Sequence, residues 1–127
     1  MQNQLTSAAF NLPYSPIRQV ENWYFISGHT GVDIPTKTAD SDVKKQTSKV
    51  FKNLADTLKT YDLNFDDIVK TTIFLTDMGD FADVNEVYAT YFTSEPKPAR
   101  SSIAVRELPR VAGIPLKVEI EAVAYRA

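Results

Sequence analysis

Pro98-Ala99-Arg100-Ser101-Ser102-Ile103-Ala104-Val105-Arg106-Glu107-Leu108-Pro109, followed after a short Gly/Pro loop by Leu116-Lys117-Val118-Glu119-Ile120-Glu121-Ala122, is the stretch that decides the fold. Two segments of alternating character flank a turn, the pattern of a hairpin or of two neighbouring strands. Strand side chains alternate between faces. Ser101, Ile103 and Val105 therefore share one face, and Arg100, Ser102, Ala104 and Arg106 the other. In the second segment Val118, Ile120, Ala122 and Ala124 lie opposite Glu119, Glu121, Val123 and Tyr125. The alternation allows Arg100 and Glu119 to share one face of one sheet. A guanidinium near a carboxylate suits the capture of a small anionic substrate beside an acid/base. It is also an ordinary ion pair, a common feature of sheets, and spacing alone leaves both readings open.

Upstream, residues 1–13 are small and polar and read as an extended arm. Tyr14 to Val20 forms a first strand, which Pro16 restricts to an edge or a strand start. Glu21-Asn22 makes a two-residue turn into the aromatic strand Trp23-Tyr24-Phe25-Ile26-Ser27. Gly28 and Gly31 punctuate a loop around His29, and Pro35 carries the chain onward. Asp40 or Ser41 caps a helix, with Asp42 in its first turn. Its buried stripe is Val43, Thr47, Val50, Phe51, Leu54, Leu58 and Tyr61, and Asp62-Leu63-Asn64 ends it. Ile68 to Thr76 is a central strand with Val69, Thr71, Ile73 and Leu75 toward the helices. Gly79 opens a turn, and Asp80 caps a second helix running to about Phe92, with Phe81, Val84, Val87, Tyr88 and Tyr91 on its stripe. Ser94 to Pro98 is a rigid linker. The order is β-β-α-β-α-β-β.

Bulk composition narrows the function. At 127 residues, 43% hydrophobic and 24% charged, the chain is expected to be one globular α+β domain spanning 1–127. Net charge is −2, and no basic cluster longer than Lys44-Lys45 appears, which makes nucleic acid an unexpected partner. With no cysteine there is no disulfide scaffold, thiol nucleophile or Cys-ligated zinc, and His29 alone makes no His-rich metal site. The first residues lack the pattern of a signal peptide, and no apolar run reaches the roughly 20 residues of a membrane span. A cytoplasmic protein is expected.

Two helices cover one face of a sheet of about five strands. The other face, read from the alternation, holds Thr72, Phe74, Ala104, Val123 and Tyr125 among Arg100, Arg106, Glu119 and Glu121. That mixture is too apolar for a solvated face and too charged for a core, and it predicts a subunit interface with charged pockets at its edges.

At Pro98-Ala99-Arg100-Ser101 and Val118-Glu119-Ile120-Glu121-Ala122 the chain resembles the RidA (YjgF-like) family of reactive-intermediate deaminases. Tyr14-Ser15, Ser27-Gly28-His29, Asp67 to Leu75 and Asp80 to Tyr88 extend the resemblance, in order, over nearly the whole chain. The resemblance implies a chorismate-mutase-like α+β fold, a mixed sheet with two helices on one face. It also implies a homotrimer with active sites between subunits and no metal or organic cofactor. The implied reaction is hydrolysis of short-lived enamine/imine acids, such as 2-iminobutanoate and 2-iminopropanoate, to 2-oxo acids and ammonia. Such substrates arise from pyridoxal-phosphate enzymes such as threonine dehydratase.

Carried over residue by residue, the resemblance makes Arg100 the carboxylate holder and Glu119 the acid/base. Arginine suits the first task because its planar fork grips a carboxylate bidentately. Fixing the carboxylate presents the C=N carbon to water, which Glu119 deprotonates before returning a proton to ammonia. Tyr14 contacts substrate or closes the pocket, Ser27 bonds near the imine, and Gly28, Asn85 and Ser102 line or shape the cleft. Each also has a plainer reading. Arg100 pairs with Glu119 or Glu121, the glutamates are interface salt bridges, Tyr14 plugs an edge strand, and Ser27 and Asn85 satisfy local backbone.

The chain departs from the family pattern in places. Ser102 stands where a cysteine is frequent, removing a modifiable thiol but not the positioning chemistry. Arg110 to Pro115 lengthens the loop before Glu119, which would narrow or shift the substrate range. Leu12 replaces a usual glycine, and His29 replaces glutamine; a lone histidine in a glycine loop reads first as a surface residue. The alternative functions are a non-catalytic binder of carboxylates such as 2-oxo acids and, on weaker grounds, the endoribonuclease or translation-inhibitor activity attached to the family by name.

Overall fold

The computed structural model describes residues 12–110 and 113–127. Most of the expected N-terminal arm, residues 1–11, and Val111 and Ala112 of the lengthened loop lie outside the described residues. In chain order the elements are β1 Ile17–Val20, β2 Trp23–Thr30, β3 Val32–Asp33, β4 Thr38–Ala39, α1 Val43–Lys59, β5 Ile68–Leu75, α2 Phe81–Tyr91, β6 Ala99–Ala104 and β7 Val118–Tyr125. Short 3₁₀ turns at Phe65–Asp67 and Met78–Asp80 precede β5 and α2. The main sheet runs β1-β2-β7-β5-β6, and β3-β4 is a small separate ladder that the sequence reading did not anticipate.

The two helices pack on one face of this mixed α+β sheet. Asp42, rather than Asp40 or Ser41, caps α1, accepting from the Lys45 N–H at 3.0 Å. The helix buries Val43, Thr47, Val50, Phe51, Leu54 and Leu58 as its spacing predicts. It ends where Asp62 adopts φ 57° and the Leu63 N–H reaches back to the Leu58 carbonyl at 3.0 Å. Asp80 occupies the cap position of α2 without a side-chain bond; Asp77 instead caps the preceding turn, accepting from the Gly79 N–H at 2.8 Å. Phe51 is the hub of the core. It stacks on Tyr91 with centroids 4.4 Å apart and meets Phe65, Tyr88 and Phe92 edge-on.

Three details correct the sequence reading, and each concerns strands. β6 and β7 are not neighbours: β5 lies between them, antiparallel to β7 and parallel to β6. The cause is the β5–α2–β6 unit, in which the helix returns the chain to start a parallel partner at the sheet edge. Val69 does not face the helices. A register shift between Ile68 and Lys70 leaves Ile68 buried and Val69 exposed. Arg100 and Ala104 are not on the uncovered face, because β6 pairs Thr71 with Arg100, Ile73 with Ser102 and Leu75 with Ala104, all on the helix side. Ser101 and Ile103 take the uncovered face beside Thr72 and Phe74. Among the described residues no helix is long and apolar enough to cross a membrane.

Phe51 is fully buried, so Phe51→Ala removes the hub of five aromatic rings. The expected loss is about 3–5 kcal/mol, read as a lower urea midpoint at fixed protein concentration.

Candidate active site

Arg100 is exposed at the sheet edge yet held on several sides. Its guanidinium carbon lies 4.8 Å from the Tyr88 ring centroid and 5.6 Å from that of Phe81. Its Nη1 donates to Asn85 Oδ1 at 2.7 Å. Phe81, Asn85 and Tyr88 follow one another at helical spacing on α2, so one face of that helix supplies the whole cradle. Tyr88 is anchored in turn: its hydroxyl and that of fully buried Thr71 are 2.8 Å apart. Asn85 engages one of five guanidinium N–H groups, leaving a fork for a planar anion. Two residues along β6, the Ser102 Oγ is buried without a hydrogen-bond partner among the described residues. A buried hydroxyl in that condition calls for a water or a ligand atom.

Glu119 lies on the other side of the sheet. Its cross-strand partners are Phe74 of β5 and Thr30 of β2. It borders a concavity of about 500 Å³ with Tyr14, Ser27, Gly28, Thr30 and Glu121, closed by Pro109 and Leu116. Gly28 lets Glu119 settle here, since a Cβ there would stand 2.0 Å from the Glu119 Oε2 and displace the carboxylate. Ser27 ties the incoming chain to β2, its N–H donating to the Pro16 carbonyl at 2.9 Å and its Oγ to the Ser15 carbonyl at 2.7 Å. The Ser27 hydroxyl proton is thus committed to backbone, and only its lone pairs face outward. Burial pushes the Glu119 carboxyl above the ordinary carboxylate range, and the charge of Glu121 pushes the same way.

The expected residues therefore form two groups. Arg100, Asn85 and Ser102 sit together on the helix side of β6; Tyr14, Ser27, Gly28 and Glu119 sit together around the uncovered face. The expectation that Arg100 and Glu119 share a face is corrected: two strand spacings, about 10 Å, and the sheet itself separate them. Tyr88 and Phe81 were missed because an aromatic stripe at helical spacing reads as core, and Thr71 because it reads as an inward residue of a central strand. The signal was that Asn85 falls inside that stripe. Also corrected is the surface reading of His29, which is part of β2 rather than a glycine loop and bonds through both ring nitrogens. Among the described residues no group of three or more potential ligand side chains could hold a metal.

The sequence profile of a family described as Endoribonuclease L-PSP matches residues 4–126. The chain belongs to this family, which includes the RidA, YjgF and RutC proteins. Within it, the chain is 41% identical over 115 residues to the 2-iminobutanoate/2-iminopropanoate deaminase of Mus musculus, covering 90% of this chain and 82% of that one. The crystal structure of RidA from Psychrobacter superposes with a TM-score of 0.82 at 36% identity, over 90% of this chain and 89% of that one. Escherichia coli TdcF with bound serine superposes with a TM-score of 0.81 at 34% identity, over 91% and 89%. Relatives that carry the name reactive-intermediate deaminase support that general function for the family fold seen here.

The Glu119 environment has a measurable consequence. Carboxyl-carbon NMR should show Glu119 titrating above the ordinary glutamate range, and Glu121→Gln should lower that midpoint by removing the like charge while leaving burial in place. An unchanged midpoint in Glu121→Gln would assign the whole effect to burial.

Proposed function

We propose that the chain is a hydrolytic deaminase of reactive enamine and imine acids of the 2-iminobutanoate and 2-iminopropanoate type. The products are the 2-oxo acid and ammonia, formed without a cofactor in the cytoplasm. The observation that carries this reading is the cradle of Arg100, whose guanidinium is stacked and hydrogen-bonded before any ligand arrives. Such preorganisation lowers the cost of gripping a carboxylate.

The reading requires a second copy of the chain, because Arg100 and Glu119 face opposite ways within one. An edge carrying Arg100 that meets the Glu119 concavity of the next copy is a heterologous contact. Repeated about a closing rotation, it generates a ring. A homotrimer with three intersubunit sites fits that geometry and the resemblance. Exposed Trp23, Phe25, Ile103 and Tyr125 on the uncovered face supply apolar surface for it.

In such a site Arg100 takes the substrate carboxylate and Ser102 Oγ meets a nearby polar atom or water. Tyr14 closes the opening. Glu119 takes a proton from water as its oxygen adds to the C=N carbon and passes it to the nitrogen, giving a carbinolamine. It then takes the remaining hydroxyl proton and delivers it to the nitrogen as the carbon–nitrogen bond breaks, so that the carbonyl forms and ammonia leaves. A carboxyl raised above its ordinary range is better matched to both transfers than a free glutamate.

The second reading, a carboxylate binder without turnover, is favoured by the relative solved with serine bound, an amino acid with its own carboxylate. Ribonuclease chemistry has less support here, since the one histidine is engaged at both nitrogens inside the fold.

The test is a coupled assay in which threonine dehydratase generates 2-iminobutanoate and semicarbazide traps it. The wild-type chain should suppress semicarbazone formation. Arg100→Ala should lower that effect by about 100-fold or more, the loss of a charge-assisted bidentate pair. Tyr88→Leu should fall between the two, because the guanidinium keeps Asn85 but loses its stacking face. No suppression by a correctly folded oligomer would exclude this substrate and leave the binder reading in front.

A further inference from the structure

We propose that His29 is a positioning residue for Glu119: held as the Nδ1–H tautomer, it pins the Ser27–Gly28 bulge on which the Glu119 carboxylate rests. The catalytic part of this proposal rests on the function proposed above; the structural part does not.

Simple alternation from Ile26, which is on the helix side, would turn His29 to the uncovered face. Instead β2 and β7 pair Ile26 with Ala122 and then His29 with Ile120, so one extra residue is absorbed between them. That bulge shifts the phase and turns the imidazole toward α1. There His29 Nδ1 lies 2.6 Å from the Ser27 carbonyl oxygen, and Nε2 lies 2.7 Å from Thr57 Oγ1. A carbonyl can only accept, so Nδ1 carries the proton, and the Nε2 of the neutral ring accepts from the Thr57 hydroxyl.

Ser27 is consequently fixed through its N–H, its hydroxyl and its carbonyl, by Pro16, Ser15 and His29 in turn. Asn53 of α1 adds a second tie, donating to the Thr30 and Val32 carbonyls at 2.9 and 2.8 Å. Gly28, the residue between Ser27 and His29, is the one whose missing Cβ makes room for Glu119 Oε2. A shift of the bulge therefore moves the floor under the carboxylate. The clamp acts on Glu119 through the Ser27–Gly28 backbone.

The titratable groups around the imidazole are Asp56 from α1 and Tyr14 from the segment before β1; Ile120 faces it from β7, and Leu12, Val32 and Ile34 complete the wall. Glu119 lies beyond the bulge on the opposite face. Burial holds His29 below the ordinary histidine range, partly offset by the Ser27 carbonyl. The neutral, accepting Nε2 is therefore retained at neutral pH and lost only in more acid solution.

The chain has one histidine, so nitrogen NMR of the labelled imidazole reports this site alone. The expected result is the Nδ1–H tautomer at neutral pH, with charge appearing only below the usual histidine midpoint. In His29→Leu the Gly28 amide signal should move and the Glu119 carboxyl titration should shift. In the deaminase assay kcat should drop about tenfold or more with KM little changed. His29→Gln keeps one donor for Ser27 and one acceptor for Thr57, so it should restore Gly28 and Glu119 signals close to wild type. Thr57→Val, which removes the outer anchor alone, should give an intermediate shift and serves if His29→Leu does not fold. An Nε2–H tautomer would overturn the proposal. So would Gly28 and Glu119 signals indifferent to His29→Leu and Thr57→Val. Absence of deaminase activity in wild type with the NMR results as expected would sink the enzymatic reading and leave the clamp standing.

Discussion

The pairing of β5 with a strand on each side constrains everything else in this protein. Thr71, Ile73 and Leu75 present one face to the helices, and cross-strand partners must share that face. On the β6 side this commits Arg100 and Ser102 to the helix side; on the β7 side it commits Ala122, Ile120 and Val118, and so turns Glu119 and Glu121 outward. A one-residue slip of β7 would turn Glu119 and Glu121 into the core, and a slip of β6 would carry Arg100 off its cradle on α2. The sheet thus separates two groups of candidate residues that the proposed deaminase would need together.

Around that constraint the chain invests in order at each half. Arg100 stacks on Tyr88, and Tyr88 reaches Thr71 in the core, so a surface cation is indexed to the interior of the sheet. Cation–π contacts of this kind contribute about 0.5–2 kcal/mol, comparable to the entropy cost of holding a long side chain still. On the other face a bulge, a glycine and a histidine fix the surface beneath Glu119. In the proposed shared site two copies would bring the halves together, with the exposed aromatic face as the surface between them.

What the sequence revealed follows from which physical signals are periodic. The α1 stripe from Val43 to Leu58 was legible because six residues at 3-and-4 spacing have one consistent solution. The outward face of β7 was legible because its partner face is uniformly apolar. The face of Arg100 was not. β6 is an edge strand, exposed along nearly its whole length, and Ile103 stays 47% exposed, so hydrophobicity does not say which side is inward. Nor did spacing reveal that β5 separates β6 from β7, since a crossover helix leaves the pairing partner to tertiary structure. The bulges at Val69 and at Ser27–Gly28 each change the phase by one residue, and only Gly28 hinted at either. Arg100 and Glu119 were first singled out by the alternation and the other candidates by motif resemblance; the geometry then sorted them onto two surfaces.

Subunit complementation tests the shared-site account most directly. Arg100→Ala and Glu119→Gln chains, each inactive as a homo-oligomer, would be unfolded together in equal amounts, refolded and assayed. If each site takes Arg100 from one copy and Glu119 from its neighbour, about a quarter of randomly mixed sites are intact and activity returns to that level. If both residues act within one chain, every site carries a defect and the mixture stays as inactive as its parents, which would contradict the account.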